Sequence, residues 1–357
     1  RRTTHVKRSR FAALAALAAV LALAVTMLGA YVRLSHAGLG CPDWPGCYGR
    51  LAAPSHPEAL AEANATFPER PVHTAKAWKE MAHRYLASGL GLVILLLAGL
   101  AWAGRQAGLP VGLPTLLVAL VVFQGLLGMW TVTLLLNPSI VTLHLAGGLA
   151  TLALLWWLTL RQGRLFVARV SPELAALRPW AWLGFALVCI QVLLGGWTST
   201  HYAALACPEF PTCHGGEWWP RADFAAGFSL LRPDGVDYEG GVLDGPARTA
   251  IHLTHRVGAL MVFLYLGILA LILLRRAEYP MHRRLAFTLV FALVLQVSLG
   301  VANVVAKLPL DLAVAHNGGA ALLLLTVLTL AHTLRPLDGA APRRADPERL
   351  APMRGAS

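Results

Sequence analysis

Eight apolar runs, each close to 20 residues, constrain this chain more than any other feature: about 11–31, 81–104, 112–135, 140–160, 180–200, 251–274, 285–306 and 312–334. A run of that length crosses a bilayer core of about 30 Å as a helix. Inside hydrocarbon only helices or closed barrels satisfy their own backbone groups. The expected fold class is therefore all-α: a polytopic membrane protein with eight transmembrane helices. Composition agrees, with 57% of the 357 residues hydrophobic and 13% charged, where a soluble domain carries roughly 25% charged residues. A basic stretch precedes the first run, as in a signal peptide. Its apolar core is too long for one, however, and no small-residue cleavage pattern closes it, so it is expected to remain as a helix.

The net charge of +12 would suit a nucleic-acid partner. Its distribution calls for none. With residues 1–10 placed inside, 19 of the 30 Lys and Arg fall in inner segments and 9 in outer ones, and Arg84 and Arg256 lie within helices. That is the positive-inside bias of a chain embedded in a lipid bilayer with both termini cytoplasmic.

The chain also repeats. Cys41-Pro42-Asp43-Trp44-Pro45-Gly46-Cys47 returns as Cys207-Pro208-Glu209-Phe210-Pro211-Thr212-Cys213, 166 residues later. From the second helix onward the offset is 172, relating His83 to His255, Arg84 to Arg256, Gln124 to Gln296, Gly128 to Gly300, His144 to His316 and Gly147 to Gly319. The difference between the offsets falls in the outer loops, where insertions are tolerated. Four helices per half is an even number, so the halves are parallel repeats about an axis along the membrane normal. The expected organisation is two tandem pseudo-symmetric four-helix bundles. A basic tail (1–10) leads into the first half (11–160), a linker (161–179) into the second (180–334), and a Pro/Arg/Ala-rich cytoplasmic tail (335–357) closes the chain.

His83 and His144 are 61 residues apart, as are His255 and His316, and each opens an apolar run near its outer end. Ionisable residues in spanning segments are expensive and mark functional sites. Facing imidazoles across a four-helix bundle can hold a cofactor in its core. Haem iron takes axial histidines, and the adjacent Arg84 and Arg256 could meet haem propionates at headgroup level. Zinc prefers three or four clustered ligands, whereas each half offers two histidines, with one Glu besides in the first half only. Gly125, Gly128, Gly147 and Gly319 leave room for a flat ring or close helix contact. One isolated boundary histidine would more often bond a carbonyl or water; four at equal spacing in a duplicated frame point to ligation. The other histidines need no such role, and His252 is expected to be interfacial.

An oxidising compartment favours disulfides, so Cys41–Cys47 and Cys207–Cys213 are expected as bridges stapling the outer loops over the sites. A thiol pair exchanging electrons with a partner is the alternative. Cys189 reads as a small buried hydrophobe. The halves differ at one telling position: Glu80, three residues before His83, has His252 as its counterpart. A carboxylate in one half only suggests that this half reacts while the other stores electrons. Otherwise Glu80 is a helix N-terminal acid favoured by the dipole.

These residues, Glu80-x-x-His83-Arg84, His144, His255-Arg256, His316 and the two cysteine loops, resemble the haem A synthase family over about 11–334, in its version with a cysteine pair in each half. The resemblance implies oxidation of the C8 methyl group of haem O to a formyl group by successive hydroxylations, for assembly of haem-copper cytochrome oxidase. It implies an oxidoreductase with substrate haem flanked by His83 and His144, and a haem b cofactor ligated by His255 and His316. Glu80 is then the candidate catalytic acid/base, with Arg84 and Arg256 beside the haems. It further implies a bacterial inner membrane location with cysteine loops and haem sites towards the outer face. Haem O synthase and oxidase assembly factors would be partners, and homo-oligomerisation stays open. Two other classes share the histidines: a non-catalytic two-haem electron carrier of cytochrome b type, which leaves Glu80 unexplained, and a haem transporter or chaperone.

Overall fold

The computed structural model describes residues 2–163, 165–231, 233 and 235–336, with side chains described from residue 9. Eight long helices carry it: α1 (Arg2–Leu34), α2 (Thr74–Ala103), α3 (Gly112–Thr133), α4 (Pro138–Gly163), α5 (Arg178–Thr200), α6 (Gly245–Arg276), α7 (Pro280–Val305) and α8 (Leu310–Thr333). Each contains a span long and apolar enough to cross a membrane. Proline in the first turn opens α5, α6 and α7, where its missing N–H would have no helical partner anyway. Asp244 caps α6 by accepting the Ala247 N–H at 3.0 Å. Among the described residues, extended pairing is limited to two isolated bridges, Cys47–Arg50 and His214–Glu217.

Two boundaries differ from expectation in a way that bears on function. Helices α2 and α6 start at Thr74 and Gly245 rather than near 81 and 251. Their entry turns are polar in sequence but bury Ala77 and Ala247 completely, so the helix begins before the hydropathy rises. Helix α1 likewise runs on from Arg2 through the stretch expected as a tail. The expected C-terminal tail lies, from residue 337, outside the described residues.

Packing follows the duplication. In the first half α1 packs on α2 and α4, and α3 packs on α2 and α4. The second half repeats this: α5 packs on α6 and α8, and α7 on the same two helices. Across the halves α1 meets α8, α5 meets α4, and α4 meets α8, a pattern that maps onto itself when the halves are exchanged. His36 and Tyr202, equivalent by the 166-residue offset, stack on each other at 5.9 Å, so the pseudo-twofold axis passes between them. Arg33 reinforces this seam by donating to Tyr202 Oη at 3.1 Å and the Ser199 carbonyl at 3.0 Å. One core, including Ile94, Leu97, Leu152, Leu155, Leu266 and Leu324, runs through both halves.

Candidate functional site

Each of the four paired histidines lies against a glycine on the preceding helix. A Cβ on Gly29 would sit 2.9 Å from His83 Cε1; on Gly128, 3.5 Å from His144 Cε1; on Gly195, 3.2 Å from His255 Cε1; on Gly300, 3.1 Å from His316 Cε1. The absent side chains make room for four imidazoles in equivalent positions. His83 and His144 are within electrostatic reach of each other, as are His255 and His316. The structure thus brings each sequence-matched pair together. Nδ1 of His83, His144 and His316 is buried without a hydrogen-bond partner. Among the described residues no group of three or more His, Cys, Asp or Glu gathers around a metal position. Two neighbouring imidazoles per half, three of the four with a buried unpartnered nitrogen, are the kind of donor that haem iron takes.

Glu80 is not a helix-end acid. Helix α2 begins at Thr74, so Glu80 lies beyond the first turn and is 4% exposed. Its Oε2 accepts the Cys41 N–H at 2.9 Å, and its Oε1 accepts from Arg84 Nη2. Arg84 also donates through Nη1 to the carbonyls of Asp43 (3.0 Å), Pro45 (3.3 Å) and Gly46. The first cysteine loop is therefore fastened to the α2 turn that bears His83.

The second half builds the same clamp from different chemistry. His252 Nδ1 accepts the Cys207 N–H at 3.0 Å. Arg256 donates to the carbonyls of Cys207 (2.7 Å), Glu209 (2.8 Å) and Thr212 (2.9 Å), and its Nε lies 3.3 Å from His252 Nε2. His252 is 4% exposed, so the expectation of an interfacial histidine gives way to a buried acceptor for the loop. Sequence hydropathy missed this because the partner is 45 residues away.

Both expected disulfides are formed, Cys41–Cys47 and Cys207–Cys213, and Cys189 is free and partly buried. The acid inside each motif holds the loop's own turn. Asp43 accepts the N–H groups of Tyr48 (2.6 Å) and Gly49 (2.8 Å). Glu209 accepts those of Gly215 (2.9 Å) and Gly216 (3.1 Å), together with the Thr212 hydroxyl at 3.1 Å. Hydrogen bonds from Gly216, Gly215 and Thr212 hold the Glu209 carboxyl below its ordinary range. Around the first loop, burial raises the Tyr48 phenol above its ordinary value.

Three glutamines complete the sites. Gln191 Nε2 lies 3.0 Å from His255 Nδ1 and donates to the His255 carbonyl at 2.9 Å. Gln296 Nε2 is 3.5 Å from His316 Nε2. Gln124 covers Gly147, one turn beyond His144, with its Nε2 buried and unbonded. Sequence reasoning found Gln124 and Gln296 only as repeat markers; His-x-x-Gly was the available signal for their contact.

Residues 12–328 match the COX15-CtaA family, described as Cytochrome oxidase assembly protein. The chain is similar to a protein named Heme A synthase from Shewanella oneidensis, 44% identical over 315 residues, covering 88% of this chain and 94% of that one. It is similar also to proteins of the same name from Allorhizobium ampelinum, 28% identical over 90% and 89% of the two chains, and Halalkalibacterium halodurans, 27% identical over 82% and 86%.

Proposed function

Since the chain belongs to the haem A synthase family of cytochrome oxidase assembly proteins, we propose that it oxidises the C8 methyl group of haem O to a formyl group. The steps are two successive hydroxylations, each removing two electrons from the methyl carbon to an external oxidant, the second giving a geminal diol that loses water. The observation that carries this reading is the unequal pair of clamps: a buried carboxylate, Glu80, beside the His83–His144 pair, and a neutral acceptor, His252, beside the His255–His316 pair.

In this reading His83 and His144 flank the substrate haem in the first half. His255 and His316 hold haem b in the second; when bound, haem b supplies an iron centre that stores and passes single electrons. Glu80 is the acid/base, and its Oε1, shared with Arg84, is the atom that takes or returns a proton as the methyl group is oxidised. Arg84 and Arg256 stand at the rims of the two sites. A propionate would meet them there by displacing one of the loop carbonyls they now hold. The disulfide loops cover the α2 and α6 turns bearing Glu80 and His252, and keep bulk water from them.

The proposed setting is the bacterial inner membrane with both termini cytoplasmic and the cysteine loops outward, from the charge bias of the inner segments. Haem O synthase and oxidase assembly factors are the proposed partners, and a homo-oligomer fits the same setting. Expression in cells that make haem O but no haem A tests the activity. Extracted haem A supports it, and haem O alone, with protein in the membrane, refutes it.

A further inference from the structure

At the end of the bundle where α1 begins, far from the paired histidines, three arginines from separate helices gather round one buried histidine. Arg161 lies in the last turn of α4, Arg178 opens α5 and Arg335 follows α8. All three are within electrostatic reach of His332. His332 is 1% exposed, and neither of its ring nitrogens has a hydrogen-bond partner. Nε of Arg178 and Oε1 of Gln162, the neighbour of Arg161, are likewise buried and unbonded. Among the described residues none of the three arginines forms an ion pair. Trp157 packs edge-on against His332 at 5.4 Å and against Trp182 at 5.6 Å.

Positive charge at this end follows from orientation alone, but orientation requires no gathering. Arg275 and Arg276 at the end of α6 are exposed. Arg178 and Arg335 are instead partly buried, beside a fully buried imidazole and with no acid to meet them. Buried polar groups need partners, and a guanidinium meets a phosphate with paired N–H donors.

An apolar groove of about 430 Å³ adjoins this cluster along the seam between the halves, with walls from α1 (Ala19, Val20, Leu23) and α8 (Leu322, Leu325). The two features meet at the linker. The Leu165 main chain lies beside His332, while Phe166 lines the groove and packs on Trp156 at 6.5 Å. Trp156 Nε1 donates to Thr329 Oγ1 at 2.8 Å, three residues before His332.

We propose that cluster and groove together bind one anionic phospholipid from the leaflet at this end, the cytoplasmic one in the orientation given above. Its phosphate sits on Arg161, Arg178 and Arg335, His332 supplies a further donor, and one acyl chain lies in the groove. Basic pockets between membrane helices take such headgroups. The arginines belong to α4, α5 and α8, so the lipid ties the two halves together. The site needs neither haem.

Phosphatidylglycerol titrated into delipidated full-length protein, and followed by native mass spectrometry, tests it. Phosphatidylcholine with the same acyl chains, whose choline cation opposes the arginines, and inorganic phosphate are the other arms. Phosphatidylglycerol should bind in preference to phosphatidylcholine. Arg178→Gln and Arg335→Gln should each weaken it about 5-fold, and Val20→Trp, filling the groove from its exposed rim, should weaken it too. Arg275→Gln with Arg276→Gln, which takes charge from the same end, should leave it unchanged. Equal binding of the two lipids by wild type overturns the proposal without recourse to variants. So does wild-type binding by Arg178→Gln, Arg335→Gln or Val20→Trp. Equal losses from the Arg275/Arg276 and Arg178/Arg335 pairs would reduce the effect to the general field of that end, and overturn it also. Inorganic phosphate that displaces phosphatidylglycerol at equal concentration would make this a free-anion site and overturn the lipid assignment.

Discussion

The Cys41 N–H donates to Glu80 Oε2 at 2.9 Å. That bond, together with those of Arg84 to the loop carbonyls, links the first disulfide loop to the helix turn bearing His83, and it gives Glu80 two separable duties: holding a loop and carrying a charge. In the second half an imidazole does the holding without the charge.

Glu80→His transplants that second-half clamp. It should retain the loop bond to Cys41, fold, and keep the C-terminal haem b, yet lose conversion of haem O. Glu80→Gln should do the same, with a rate loss of about 10²–10⁴-fold, the usual contribution of a positioned acid/base. The check is the ratio of haem O, hydroxylated haem and haem A extracted from cells. Haem A formed by either variant at the wild-type rate would reduce Glu80 to a loop anchor.

His255→Ala or His316→Ala should each abolish the low-spin bis-histidine optical spectrum of the second-half haem. An unchanged reduced spectrum in both would remove haem b from that site.

The glycines facing the rings should be graded by their clearance. Gly29→Ala places a methyl 2.9 Å from His83 and must push the imidazole, whereas Gly128→Ala meets His144 at 3.5 Å, an ordinary contact. Haem retained in the first half should therefore fall clearly in Gly29→Ala and little in Gly128→Ala. Equal retention would mean that the ring positions are not set by these glycines.

Mass mapping without reduction should recover Cys41 joined to Cys47 and Cys207 to Cys213 in protein from intact cells. Removing the first bridge as Cys41→Ala/Cys47→Ala should destabilise by about 2 kcal/mol on loop-closure grounds. Proteolysis should then attack the 41–50 loop first.

Glu209 supports its loop only while ionised. Because its pKa is lowered in the folded loop by the bonds from Gly216, Gly215 and Thr212, the stabilisation is complete above the ordinary carboxylate pKa and is lost as pH falls through the lowered folded value. Amide exchange at Gly215 and Gly216, corrected for intrinsic pH dependence, should therefore lose protection only in acid below the usual carboxylate range. In Glu209→Gln that acid step should be absent.

The sequence alone determined the eight spans, the duplication and the two histidine pairs. Apolar length, repeat offset and costly polar residues in apolar runs are properties of the chain read linearly, and the bilayer turns them directly into helices. The paired cysteines were legible for the same reason, each pair being closed within one short loop. Only the tertiary structure decided what meets what. Gly125 and Gly128 look alike in sequence, yet Gly128 faces His144 and Gly125 faces open space. Sequence left a helix-end acid as the alternative for Glu80; the helix starts at Thr74 and the carboxylate holds Cys41. His252 passed for an interfacial residue until its partner proved to be Cys207. These contacts join segments tens of residues apart, through loops whose path depends on how eight helices pack. Hydropathy and spacing report a residue's own helix, and say nothing of the register between two.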